Sequence, residues 1–390
     1  MTRVCMITLN HSPFDDRLFY REARSLLKDG YQVHVISAAR KSNEDNIYPG
    51  FEIKYIKSDT NYRSLKWILT LSKLFVESLR TPSDVYHCHE PDTFLVAIFI
   101  KIFAGKRIIY DVYEYYEDVI PLSRGLTKFF LIFMTNVFEP MFCRFADGII
   151  VADSEIRKRY EKLNKNVCVL YNYPCLDIFS QEYKEEFETP AYPGRCVVIY
   201  VGGMTEERGI LDLIKAVLEV SKTHPSIKLL LVGWFLTGEF RDKCTEYIRT
   251  NGMEELVDIM GGVPHTEISH LISSADIGAV LLHPIPKFYK NIPTKQFEYM
   301  VCGKPIVGSD LPPISEYVCE ANCGILVDPV DVDEVADAIN YLMDHPGEAN
   351  AMGQRGKRAV LDKYNWRNEE RKLLKFYRKV MGPDRPCETL

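Results

Sequence analysis

The sequence predicts an α/β protein made of two doubly wound, Rossmann-like domains. Two observations lead there. Short apolar runs of strand character alternate with amphipathic helical patterns along all 390 residues, and the runs are too many for one sheet of ordinary size. A stretch rich in Pro, Glu and Tyr, from Gln181 to Gly194, follows neither apolar period and reads as a linker. The expected domains are 1–175 and 192–365, with a last helix from Trp366.

In the first half, strands are expected at Arg3–Leu9, Val33–Ala38, Phe51–Ile56, Val85–His89, Arg107–Val112, Gly148–Ala152 and Val167–Tyr171. Ligands of open parallel sheets bind beyond the carboxyl ends of strands, so those ends hold the candidate site residues. After the first run come His11, Asp15, Asp16 and Arg17, then a helix ending at Gly30. This loop has no glycine fingerprint. Asp15 and Asp16 read as a helix N-cap with dipole-favoured acids, because adjacent carboxylates diverge. His11 reads equally as a polar site group or a turn residue.

The segment Arg63–Arg80 alternates Trp67, Leu71, Leu74 and Leu79 with Arg63, Lys66, Lys73 and Arg80. Such a basic amphipathic helix either covers a sheet with a solvated basic face or rests on an anionic membrane surface. After the fourth run come His87-Cys88-His89 and the acids Glu90 and Asp92. The two histidines share one side of a strand and Cys88 the other. No second cluster in the sequence completes a four-ligand zinc set, so no metal is expected. Asp111, Tyr113 and Glu114 follow the fifth run, in a carboxylate- and aromatic-rich loop that suits sugar rings or simply caps a helix. Phe129–Phe138 is apolar but too short to span a bilayer.

In the second half, strands are expected at Val197–Val201, Lys228–Val232, Val257–Met260, Ile277–Leu282, Pro305–Gly308 and Gly324–Val327. The first leads into Gly202-Gly203 and then Arg208 near a helix start. That is a close-approach turn with a cation, suited to phosphate. The stretch Asn291–Asp310 reads as loop, short helix, glycine stop and buried strand. Thr294 is the expected N-cap and Gly303 the stop. Lys295 and Glu298 share a helical face. Together with the glycine turn they make a two-sided pyrophosphate and ribose site.

Composition narrows the classes. A net charge of -6 argues against a general nucleic-acid binder, and 46% apolar with 26% charged residues is ordinary for a soluble globular protein. Eleven cysteines without paired spacing suit reduced thiols in the cytosol. The chain opens on a strand-like run and not on a basic-then-apolar leader.

Over nearly its whole length the chain resembles the family 4 glycosyltransferases of GT-B fold. Tyr200–Gly209 resembles the family's strand, glycine turn and Arg-Gly element; Pro293–Asp310 its Pro-x-Lys-x-Phe-Glu-Tyr-Met block; and Gly324–Pro329 its later strand. Asp15–Gly30, His89–Asp92 and Asp111–Glu114 resemble the N-terminal signature of a bacterial and archaeal subgroup. Three positions depart from the pattern: Lys290 stands where Glu is frequent, Gly203 where Arg is common, and Tyr113 where the subgroup has His.

The resemblance implies two domains facing a cleft, with the last helix, 366–390, crossing back to the first. It implies that Glu298 binds the donor ribose and that Arg208 and Lys295 lie near the diphosphate. The expected donor-side set is Gly202, Gly203, Arg208, Lys290, Thr294, Lys295 and Glu298. The acceptor-side set is His11, Asp15, Arg17, Glu90, Asp92 and Tyr113. Arg208, Lys295, Asp111 and Glu114 are the catalytic candidates.

The expected activity is retaining, metal-independent and cofactor-free. It takes a sugar from a nucleotide-diphosphate sugar, UDP-sugar favoured over GDP-sugar, to a glycan or lipid-linked glycan in cell-surface polysaccharide or glycoconjugate synthesis. The enzyme would work on the cytoplasmic side, in peripheral contact with anionic membrane. Two other readings stay open: a UDP-N-acetylhexosamine epimerase or hydrolase, and a non-catalytic GT-B partner subunit.

Overall fold

A computed structural model of the chain describes residues 1–39, 48–57, 65–112, 126–179 and 192–382. The chain divides into two compact units, Met1–Asn172 with Trp366–Leu390, and Tyr173–Asn365.

The first unit holds a seven-stranded parallel sheet in the order β3-β2-β1-β4-β5-β6-β7. Its strands are β1 Arg3–Thr8, β2 Gln32–Ser37, β3 Phe51–Tyr55, β4 Val85–Cys88, β5 Arg107–Val112, β6 Gly148–Val151 and β7 Val167–Val169. Nearly every residue of the inner strands is buried, as a parallel sheet covered on both faces requires. Right-handed crossovers put the helices Leu65–Arg80, Pro91–Ala104 and Ser154–Tyr160, and the helical run from Leu126 to Phe145, on one face. There Ile7, Tyr86, Cys88, Tyr110 and Val151 pack against Leu74, Phe94, Phe138 and Tyr160.

The opposite face is covered by a helix that begins as π-type, Asp16–Ala23, and continues as Arg24–Lys28, and by the C-terminal helix Trp366–Met381. Trp366 Nε1 donates to Ser25 Oγ at 2.8 Å, and Tyr377 Oη lies 2.7 Å from His87 Nδ1. These two contacts fix the last helix on the first unit, as the resemblance implied.

The second unit holds a six-stranded parallel sheet, order β10-β9-β8-β11-β12-β13. Its strands are β8 Cys196–Val201, β9 Ile227–Val232, β10 Val257–Met260, β11 Ile277–Val280, β12 Ile306–Ser309 and β13 Gly324–Val327. Its core is a layer of Ile, Leu and Val from strands and flanking helices, Ile214, Leu229, Leu231 and Ile339 among them. Among the described residues no helix is long and apolar enough to cross a membrane. Residues 181–191, most of the expected linker, lie outside the described residues.

The helix Leu65–Arg80 departs from the simple amphipathic reading. Leu71 and Leu74 are buried, but Leu79, Ile68, Leu69 and Val76 face solvent, and Trp67 is half-buried. Apolar residues therefore occupy both faces. Arg63 and the Lys66 side chain lie outside the described residues.

Candidate active site

The strand order of the second sheet reverses between β8 and β11, the place where such sheets bind ligands. The backbone there is specialised. Gly202 follows β8 at φ 125°, and a Cβ on it would lie 3.3 Å from Lys295 Nζ. Gly209 ends a 3-10 turn, Glu206–Arg208, at φ 66°, and a Cβ there would meet the Leu281 carbonyl oxygen at 2.2 Å. Only glycine lets this turn close against the end of β11.

Helix Thr294–Val301 is fastened to the same edge. Tyr299 Oη accepts the Val201 backbone N–H at 2.9 Å, and Gln296 Nε2 donates to the Pro313 carbonyl at 2.9 Å. The expected cap shifts by one residue. Pro293, at φ -74° and ψ 123°, is the last extended position, and Thr294 becomes the first helical residue. Gly303, at φ 70°, follows the helix end as expected.

Lys295 and Glu298 are nearly enclosed, at 9% and 6% exposure. Lys295 Nζ sits 3.5 Å from the centre of the Tyr200 ring and has no hydrogen-bond partner among the described residues. Arg208 donates from Nη1 to the Gly203 carbonyl at 2.9 Å, and Tyr200 Oη donates to the same oxygen at 2.8 Å. Burial, and after it the Arg208 guanidinium, push the Lys295 ammonium well below its usual pKa, while Glu298 opposes them. Two cations and a carboxylate thus meet at a glycine turn. That set can bind an anion and accept hydroxyl hydrogen bonds. Lys290 is exposed at the end of the 3-10 turn Pro286–Tyr289.

The edge carries groups that the sequence reading did not single out. Trp234 and Leu236 follow β9 and are 64% and 62% exposed. Trp234 lies against Gly262, where an added Cβ would overlap its ring at 1.6 Å. A large aromatic after a buried strand and a glycine was the available signal. His283 Nε2 pairs with Asp212 Oδ2 at 2.8 Å.

In the first unit the acceptor-side candidates divide. The Glu90 carboxylate accepts from Thr8 Oγ1 at 2.8 Å and from the backbone N–H groups of Leu9 and Asn10 at 3.2 and 3.1 Å. It fixes the loop after β1. Asp92 is buried in the first turn of helix Pro91–Ala104. Asp15 caps its helix through the N–H groups of Arg17 and Leu18. Burial works to raise the Asp15 pKa, but the hydrogen bond and charge of His11, with those N–H groups, lower it to about 2. His11 lies 3.8 Å from both Asp15 and Glu90. Tyr113 and Glu114 lie outside the described residues.

Asp111 is wholly buried and takes a two-pronged contact from Arg17, at 2.7 and 2.8 Å. Arg17 Nη1 also donates to the Leu170 carbonyl and to Asn172 Oδ1. Beside them His87 and His89 stack at 4.5 Å, with Glu22 Oε2 3.1 Å from His89 Nε2. One atom from each of Glu22, His87, His89 and Asp111 falls within 4.8 Å of the others. This corrects the expectation that no further groups join the two histidines. Glu22 and Asp111 arrive from distant segments, which spacing along the chain cannot show. The Arg17 guanidinium already supplies the positive charge to this cluster. Burial and Asp111 raise the Glu22 pKa to about 7, against the pull of Arg17 and His89.

Comparison with known proteins agrees on both units. The family model described as "Glycosyltransferase Family 4" matches residues 16–173, and "Glycosyl transferases group 1" matches 181–359. An uncharacterized glycosyltransferase of Methanocaldococcus jannaschii is 23% identical over 389 residues, 92% of each chain. The MMP alpha-(1->4)-mannosyltransferase of Mycolicibacterium hassiacum is 28% identical over 46% of this chain and 42% of that enzyme. The structure of Anabaena HepE in complex with UDP-glucose superposes with a TM-score of 0.74 over 97% of this chain and 99% of that one, at 15% identity. This last likeness supports the two-domain GT-B fold. With a sugar-transferase model on each unit and a relative along almost the full length, the chain belongs to the family 4-like glycosyltransferases and is a sugar-transferring enzyme.

Proposed function

We propose that the enzyme moves a sugar from a nucleotide-diphosphate sugar, a UDP-sugar in preference to a GDP-sugar, onto a glycan or lipid-linked glycan of the cell surface. Transfer proceeds with retention and without a metal ion. One observation carries the donor: the enclosed Lys295 ammonium, with no hydrogen-bond partner among the described residues, stands against Gly202 and beside Arg208. A diphosphate placed there supplies the missing acceptors and favours the charged form of the lysine.

Arg208 and Lys295 then neutralise the charge that develops on the departing diphosphate, the task a metal ion performs elsewhere. Glu298, one helical turn on, accepts from the ribose hydroxyls. The preference for uridine draws on the HepE complex with UDP-glucose. Retention and freedom from cofactors follow the family resemblance. The enzyme works peripherally at the inner face of the cell membrane, with helix Leu65–Arg80 toward anionic lipid.

A nucleotide panel followed by thermal shift tests this reading. A diphosphate present at 100 times its Kd stabilises the protein by about 2.7 kcal/mol, and the matching nucleoside far less. Donor turnover persists in excess EDTA. Equal shifts for UDP and uridine, and for GDP and guanosine, refute the donor site. Loss of turnover in EDTA that added metal restores refutes metal independence.

A further inference from the structure

The helical face of the first sheet is unusually apolar on its outside. Helix Pro91–Ala104 is hydrophobic nearly all round, a pattern that ordinarily means burial on every side. Yet Phe99, Ile102 and Phe103 are 44%, 65% and 71% exposed. Phe75 of the neighbouring helix packs edge-on against Phe99 and Phe103, extending the ridge toward exposed Val76 and Leu79.

The helical run from Leu126 to Phe145 lies on the same face of the sheet and repeats the pattern. Phe129, Phe133, Val137, Met141 and Phe145 stand four apart and are all exposed, Phe129 to 71%. Four-residue spacing places them in one stripe along the run. Exposed apolar rows of this length on neighbouring helices mark a contact surface.

Charge identifies the partner. Lys73, Arg80, Lys128 and Arg144 are exposed on these helices. The acids of the same helices are withdrawn: Asp92 and Glu139 are buried, and Glu77 is largely covered and paired with Lys54. In a chain of net charge -6, these three helical stretches present exposed cations and no exposed carboxylate among their described residues, while Glu155 of the fourth helix on this face is paired with Lys158. Exposed aromatic and aliphatic side chains on helices whose exposed charges are Lys and Arg suit the interface of an anionic bilayer.

We infer that this three-helix face enters the headgroup region of an anionic membrane through its apolar stripes, with the Phe129–Phe145 stripe and the Phe99–Phe103 ridge inserted. The inference rests on the peripheral-membrane part of the proposed function. It differs from that part in mode, because insertion of apolar groups, and not charge alone, holds the protein.

Vesicle sedimentation with phosphatidylglycerol–phosphatidylcholine mixtures tests it, using wild type, Phe129→Ser/Phe133→Ser, Phe99→Ser/Phe103→Ser and Lys73→Glu/Arg80→Glu. All these residues are exposed, and an unchanged melting temperature and circular dichroism spectrum check that each variant stays folded. Wild type is expected to bind, with a fraction resisting about 0.5 M salt, where charge attraction is screened within a few ångströms. Each Phe→Ser pair is expected to lose binding by about tenfold or more, including the salt-resistant fraction. The charge variant loses only the salt-sensitive fraction. If salt removes all wild-type binding and the Phe→Ser pairs bind normally, the insertion inference fails while the peripheral reading stands. If wild type never sediments at low salt, both fail. If wild type is a dimer by sedimentation equilibrium and the Phe→Ser pairs are monomers, the face is a self-interface and the inference fails.

Discussion

Arg17 in the first unit and Lys295 in the second are both buried cations, yet their surroundings differ. Arg17 donates to both Asp111 oxygens, to the Leu170 carbonyl and to Asn172 Oδ1. Lys295 Nζ faces an aromatic ring and a glycine, and finds no hydrogen-bond acceptor among the described residues. A buried charge with a complete set of partners holds structure together; one without them costs stability until a ligand completes it. On the proposed reading the contrast separates a structural polar core from a donor site, although both read as charged residues near strand ends.

The largest expected effect breaks the first half of this contrast. Arg17→Met leaves Asp111 buried without its cation and should destabilise the first unit by about 3–5 kcal/mol, read by urea denaturation. Little change would mean that the network is incidental.

The second half is broken by Lys295→Met. Turnover should fall about a hundredfold or more, the cost of removing a preorganised donor to developing charge. The free protein should melt at a higher temperature than wild type, because an unpartnered buried charge is gone. A lower melting temperature contradicts the contrast.

Glu298→Gln sharpens the ribose assignment. Losing a charged acceptor costs roughly 1.5–3 kcal/mol, so nucleotide affinity should weaken about tenfold or more without unfolding. Unchanged affinity by calorimetry removes Glu298 from the site.

A further effect concerns pH. The Glu22 pKa is raised from 4.5 to about 7 in the folded protein. Its stabilising contribution is therefore present below the unfolded value and lost as pH rises through about 7. Glu22→Gln removes that loss, so its melting temperature relative to wild type should improve between about pH 5 and about pH 8. A constant difference across that range would show that Glu22 does not titrate there.

Period and punctuation made the parallel sheets legible. Runs such as Arg107–Val112 and Gly324–Val327 coincide with β5 and β13, because short stretches of mostly β-branched and apolar residues set between turn signals read as strands. The Lys295/Glu298 edge was legible for a similar reason: glycine turns, helix starts and charges sit close together along the chain. What escaped needed the third dimension. Glu22 reaches His89 across 67 residues, and no local pattern announces such a meeting. The Phe129–Phe145 stripe escaped for a different reason. Apolar periodicity shows that a face exists, and it does not show whether that face turns inward.

Titration calorimetry of UDP against uridine, with GDP and guanosine alongside, in two buffers of different ionisation heat, tests the role of Lys295 most directly. Lys295 has a depressed pKa in the free protein, and on the proposed reading a bound diphosphate raises it again. Diphosphate binding should therefore take up protons as pH approaches the depressed value from below, and weaken at higher pH, whereas the nucleosides should bind weakly with no proton uptake. Equal affinity for nucleoside and diphosphate, or diphosphate binding whose heat is the same in both buffers across the pH range, would contradict it.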